Sequence, residues 1–187
     1  DRIVFITDVL NGKQCSLCPE NPMLPVNALE KTTLRYFGTS AGGNIQAFRL
    51  SSYSFYDLLE MLNEPDKETE LEESLRAADW VVFAFLNIRT GQPVSGAFRS
   101  FLAKQPELLD KKKVVAFAFN APYYLDATDI GRLSAYYGLY SRSPEAVNIA
   151  VRLLFQELVP GGKSPVSIAG LGYDLITATS PDPSQVI

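Results

Sequence analysis

The amino-acid sequence predicts a doubly wound α/β domain: a mainly parallel sheet with helices on both faces. Two observations lead there. Short runs such as Ile3 to Ile6, Trp80 to Phe85 and Val114 to Phe119 are apolar at every position instead of every second one, as expected of strands covered on both sides. Between them lie segments whose apolar residues recur at helical spacing, and that alternation of strand and helix is the pattern of a layered parallel sheet.

Taken in order, Ile3-Val4-Phe5-Ile6 precedes Asp8 and its β-branching favours a strand. Residues 26–37 read as a helix ended near Gly38, and Ser40-Ala41-Gly42-Gly43 as a loop before a second strand near 45–50. A helix follows over 55–62. Glu64-Pro65-Asp66 interrupts it, and a strongly charged helix over 70–78 leads into the third strand at 80–85. Residues 94–103 read as helix, 114–119 as the fourth strand and 134–139 as the fifth, with 126–130 the least defined stretch. Ser143 is placed to cap a further helix, because Pro144 needs no amide partner in a first turn and Glu145 suits the positive helix end. Val147, Val151, Leu154 and Leu158 carry its apolar stripe until Pro160-Gly161-Gly162 forbids continuation. Pro165-Val166-Ser167-Ile168 suggests another strand, and the tail over 180–184 should be extended and exposed.

At 187 residues and 47% hydrophobic, the chain is expected to form a single domain with one substantial core. A (β/α)8 barrel needs about 200 to 250 residues by itself. The start at Asp1-Arg2-Ile3, without methionine, suggests a piece of a longer polypeptide. A net charge of −4 offers no footprint for nucleic acid or an anionic membrane. No apolar run reaches the roughly 18 residues that span a bilayer. Lys111-Lys112-Lys113 reads as a solvated edge before a buried strand.

Few residues look like chemistry. Cys15-x-x-Cys18 allows a local disulfide or two idle thiols, with a redox pair and half of an intermolecular metal site as alternatives. A closed zinc site within the chain fails, since two cysteines and no histidine cannot supply four ligands. Gly161-Gly162-Lys163-Ser164 mimics a phosphate loop but follows a helix, the reverse of the required order, and reads as a turn. Gly170-x-Gly172 and the 38–43 glycines read as turns too. Asp8 sits at a strand's carboxyl end, where open α/β sheets gather ligands, and could hold Mg²⁺ or phosphate. With no second acid beside it, and with Asp57 and Asp66 in or near later helices, loop capping is the leading reading. Asp126 and Asp129 could pair for glycoside chemistry, but the spacing also suits a polar helix face. No cofactor, metal or catalytic residue is assigned. Tyr123, Tyr124, Tyr136, Tyr137 and Tyr140 suit a core edge or domain interface better than sugar stacking.

One resemblance adds to this. The run Tyr136-Tyr137-Gly138-Leu139-Tyr140-Ser141, the Ser143-Pro144 helix start and the Pro160-Gly161-Gly162-Lys163-Ser164-Pro165-Val166-Ser167-Ile168 turn resemble the end of the C-terminal domain of family 3 glycoside hydrolases, in the β-N-acetylhexosaminidase branch. The strand Val114 to Phe119 ending in Asn120-Ala121-Pro122-Tyr123 is similar to that domain too. The resemblance covers 113–172 well and the rest more loosely. It implies a noncatalytic domain of an enzyme that hydrolyses terminal β-N-acetylhexosaminides or related β-glycosides through a covalent glycosyl-aspartate intermediate. The family's aspartate nucleophile and histidine-based acid/base sit on an N-terminal barrel, absent from this chain, which would be the domain's partner. Carbohydrate is then met through the parent enzyme. Asn120, Tyr123, Tyr124 and Tyr140 become candidates for interdomain or sugar contact. A Cys15–Cys18 disulfide would suit an extracytoplasmic or secreted hydrolase. The rival from another class is a free-standing flavodoxin-like binding or receiver module built on Asp8.

Overall fold

The computed structural model describes residues 1–13, 15–86, 93–122, 125–165, 167 and 174–180. In chain order its elements are β1 (Ile3–Thr7), β2 (Asn11–Gly12), β3 (Asn21–Pro22), α1 (Ala28–Phe37), β4 (Leu50–Ser54), α2 (Phe55–Asn63), α3 (Glu70–Ala77), β5 (Trp80–Phe85), α4 (Pro93–Lys104), β6 (Lys113–Ala118), α5 (Ala127–Ile130), β7 (Ala135–Gly138), α6 (Pro144–Leu154) and α7 (Leu175–Ala178). Five strands form a parallel sheet in the order β4-β1-β5-β6-β7, while β2 and β3 make a small antiparallel pair. This is a doubly wound fold in the flavodoxin-like order, with β1 and β5 meeting where the winding reverses.

The apolar runs are explained by burial on two faces. Val4, Ile6, Val81, Phe83, Phe85 and Val114 pack under α2, α3 and α4, where Phe55, Leu58, Leu75, Phe98 and Phe101 close the layer. The alternate residues Ile3, Phe5, Val82, Ala84, Val115 and Phe117 pack under α1 and α6, against Leu29, Val147, Val151 and Leu154. The first layer is rich in rings: Phe83 and Phe98 stand edge to face with centroids 4.7 Å apart, and Phe85 meets Phe98 at 4.8 Å. Burying each such phenylalanine contributes about 1.5–3 kcal/mol.

The helix starts follow from their caps. Ser54 Oγ accepts the Asp57 amide at 3.3 Å, and Asp57 accepts the Ser54 amide at 2.6 Å, so Asp57 is the return arm of a capping box on α2. Thr69 caps α3, and Ser143 caps α6 through the Ala146 amide with Pro144 in the first turn.

Two expectations need correction. The second strand lies at Leu50–Ser54, beyond the expected 45–50, because Ala47–Arg49 coil into a 3-10 turn. Its residues beyond Leu50 are half-buried and polar, as an edge strand permits: Ser52 Oγ donates to Glu30 at 2.6 Å, and the Tyr53 hydroxyl meets Ser74 Oγ at 2.7 Å. The α6 helix stops at Leu154, short of Pro160, because Gln156 turns left-handed at φ 58°. Lys111-Lys112-Lys113 is the solvated edge expected before a buried strand, with Lys111 and Lys113 exposed, and it also makes contacts: Lys112 Nζ donates to the Ala78 carbonyl at 2.7 Å, and Lys113 Nζ lies 4.5 Å from the Trp80 ring centroid. Of the strand expected around 165–168, Pro165 lies in a bend and Ser167 has no regular structure, while residues 166 and 168, the glycines at 170 and 172 and most of the tail fall outside the described residues.

Candidate functional site at the carboxyl rim of the sheet

Asp8 stands just past β1, at the reversal of winding where this fold class gathers ligands. It is 1% exposed. Its amide donates to the Ala84 carbonyl at 2.8 Å and its Oδ2 accepts the Leu86 amide at 3.1 Å. The carboxylate therefore latches the end of β5 to the end of β1, satisfying a buried amide that has no strand partner there. Beside it Thr7, also buried, donates its hydroxyl to the Val26 carbonyl at 3.2 Å and ties β1 to the approach of α1.

Asp126 and Asp129 are brought together, but for a structural task. Asp126 Oδ1 accepts the amides of Thr128 and Asp129, both at 2.9 Å, and so caps the short α5. The Asp129 amide foremost, with the Thr128 amide and the nearby Arg99 and Arg132 charges, holds the Asp126 carboxyl below its usual range. Asp129 pairs with Arg99 Nε at 2.8 Å. Asp126 is exposed and Asp129 is buried. Asp66 lies exposed in the turn between α2 and α3.

At the other end of the rim, β6 and β7 deliver Asn120 and Tyr140. Asn120 is exposed and Tyr140 is 44% exposed at φ 53°. Gly138 makes this packing possible: a Cβ there would lie 2.9 Å from the Pro122 ring and 3.2 Å from the Tyr140 ring. Tyr136 completes the corner by donating its hydroxyl to the Pro122 carbonyl at 2.8 Å, and Tyr137 stacks on Phe117 with centroids 5.3 Å apart. Tyr123 and Tyr124 fall outside the described residues.

Cys15 and Cys18 are joined in a disulfide between β2 and β3, and the Cys18 amide donates to the Cys15 carbonyl at 3.1 Å. The closed loop presents Leu17 at 95% exposure. Among the described residues no three His, Cys, Asp or Glu side chains converge as a metal-binding group, and no helix is long and apolar enough to cross a membrane.

A feature with no local sequence signal is a cleft of about 880 Å³ between α1, α6 and the β2–β3 excursion. Lys13, Lys31, Arg35 and Arg142 line it, over a floor that includes Leu24 and Val147. A second depression of about 540 Å³ lies at the opposite, amino edge of the sheet, around Ile3, Leu50 and Trp80.

No family model matches the chain, and no match is found among curated proteins. Among solved structures, the chain is similar to part of one described as a unique GCN5-related glucosamine N-acetyltransferase region in a fungal multi-domain GH3 β-N-acetylglucosaminidase. The TM-score is 0.59 at 22% identity, over 94% of this chain and 16% of that one. The chain thus shares its α/β fold with a segment of that larger fungal protein.

Proposed function

We propose that this chain is the noncatalytic C-terminal α/β domain of a family 3 glycoside hydrolase, whose parent enzyme removes terminal β-N-acetylhexosamine or related β-linked sugars. The observation that carries this reading is the way 94% of the chain superposes on a segment of a multidomain GH3 enzyme. The site residues agree with it. Retaining hydrolysis needs two carboxyl groups about 5–5.5 Å apart across the scissile bond, whereas Asp8 Oδ2 and Asp126 Oδ1 accept backbone amides and Asp129 Oδ2 pairs with Arg99. The carboxyl rim, with Asn120, Tyr140 and the exposed Leu17, then serves as a surface toward the catalytic barrel. An interface of that kind within one chain buries on the order of 600–1,500 Å².

The receiver-like alternative asks Asp8 to meet Mg²⁺ or phosphate, and its 1% exposure speaks against that. An acetyltransferase reading, suggested by the fungal protein's description, asks for a loop of amides at a helix start to hold the cofactor's pyrophosphate. Gly161-Gly162-Lys163-Ser164 instead follows a helix.

Assaying the chain alone and the full-length parent on an aryl β-N-acetylglucosaminide tests the proposal. The parent is expected to turn over and the chain to be inert. Turnover by the chain, abolished by Asp8→Asn, Asp126→Asn or Asp129→Asn, would overturn it, as would acetyl transfer from acetyl-CoA to glucosamine.

A further inference from the structure

Positive charge gathers around the 880 Å³ cleft. The chain carries a net charge of −4, yet Lys13, Lys31, Arg35 and Arg142 line this cleft with no aspartate or glutamate among the described residues that line it. The carboxylates of the same two helices are engaged elsewhere: Glu30 accepts from Ser52 Oγ at 2.6 Å, and Glu145 is held by the Ser143 hydroxyl at the helix cap. None of the ion pairs among the described residues involves the four cations. Two of the cations are already positioned across the cleft, Arg35 by donating to the Asn148 side chain and Arg142 by lying 2.9 Å from the Met23 sulfur. Like charges gathered around a low-dielectric floor repel one another and focus a positive field, a cost that an oxyanion ligand relieves.

The remaining lining narrows the ligand. Among the described residues no aromatic ring lines the cleft, so neither a nucleobase nor a neutral sugar finds a stacking platform there. Recognition falls instead to charge-assisted bonds from guanidinium and ammonium groups, which suit the oxygens of carboxylates, sulfates and phosphates alike. Clefts of about 300–1,000 Å³ enclose ligands of drug size, which corresponds to a few sugar units. We propose that this cleft binds an acidic oligosaccharide, its carboxylates or sulfates held by Lys13, Lys31, Arg35 and Arg142. The charge and volume stand by themselves, while the choice of a sugar rests on the glycoside hydrolase reading.

Calorimetric titration of the chain with trigalacturonate, a heparin-derived trisaccharide, uncharged chitotriose and triglutamate tests this, at low salt and near 0.15 M. Binding of the acidic sugars is expected, weakening as the screening length falls from about 30 Å to about 8 Å. The Lys31→Gln, Arg142→Gln double variant should lose affinity roughly tenfold while retaining the parental circular dichroism and melting point. The Lys104→Gln, Lys111→Gln double variant, which removes the same two charges from exposed positions away from the cleft, should bind as the parent does; a loss equal to that of the cleft double variant would show net charge alone at work and overturn the assignment. Equal binding of chitotriose or triglutamate, or no loss in the cleft double variant, would also sink it. A second cleft double variant, Lys13→Gln with Arg142→Gln, keeps the test decisive if the first fails to fold. Absence of acidic-sugar binding beside a parent that still hydrolyses the aryl glycoside removes the cleft and leaves the hydrolase reading standing; binding beside an inactive parent does the reverse.

Discussion

At the residue scale the most consequential side chain is Asp8, because its position invites a catalytic reading and its bonds give it another. A carboxylate that accepts a buried amide stabilises the strand end, and removing the acceptor leaves the donor unsatisfied. Asp8→Ala therefore orphans the Leu86 amide and is expected to cost about 1–3 kcal/mol in urea denaturation. Asp8→Asn retains an acceptor oxygen and should cost visibly less. Equal losses in the two variants would mean that the negative charge, more than the hydrogen bond, is what the fold uses there. Asp8 was singled out from the sequence by its place after an apolar run. The identity of its partner was not legible, since Leu86 lies 78 residues away and only the parallel pairing of β1 with β5 brings the two together.

At the element scale, the helix starts were readable and one helix end was not. Ser143-Pro144-Glu145 states its cap locally, through residue types whose bonds reach only three positions ahead. The end of α6 is set by a Schellman closure: the Gln156 amide donates to the Leu153 carbonyl at 3.1 Å, and the Glu157 amide donates to the Arg152 carbonyl at 2.9 Å. An ion pair between Arg152 and Glu157 at 2.9 Å spans the same positions. Glycine is the usual residue at the left-handed position, and glutamine there hides the stop signal, so the apolar stripe reads in sequence as running on to Leu158. The shifted β4 has a similar cause, for an edge strand of serines carries little apolar signal. Glutamine's left-handed backbone is strained by about 1–2 kcal/mol, part of which glycine returns through the entropy of its unfolded chain. Gln156→Gly is thus expected to stabilise the protein by about 0.5–1 kcal/mol. A loss of stability on chemical denaturation would show that the glutamine side chain makes a contact worth more than the strain it bears.

At the scale of the whole molecule, one parallel sheet separates two apolar layers, and the same strands feed both. The layering was legible because burial on two faces removes the polar alternation from β1, β5 and β6. The basic cleft was not, since Lys13, Lys31, Arg35 and Arg142 are scattered along the chain and only the packing of α1 beside α6 gathers them. Sharing of strands has a thermodynamic consequence. Phe83 supports the layer under α2 and α4, and Phe117 the layer under α1 and α6, yet Phe83 and Ala84 are neighbours in β5, pairing with Ala116 and Phe117 of β6. Neither layer can come apart without uncovering the other side of the same strands, so the two should melt together. The Cys15–Cys18 disulfide stands outside this coupling: its loop entropy is worth about 2 kcal/mol at most in the chain-entropy model, and it closes four residues on the β2–β3 excursion. Phe83→Ala and Phe117→Ala are each expected to cost about 3–5 kcal/mol, in a single transition that Trp80 fluorescence and far-ultraviolet circular dichroism report at one midpoint. The Cys15→Ser, Cys18→Ser variant should shift that midpoint far less and leave the transition single. Separate midpoints for the two phenylalanine variants' layers, or collapse of the fold without the disulfide, would mean that the sheet does not unify the molecule as its shared strands require.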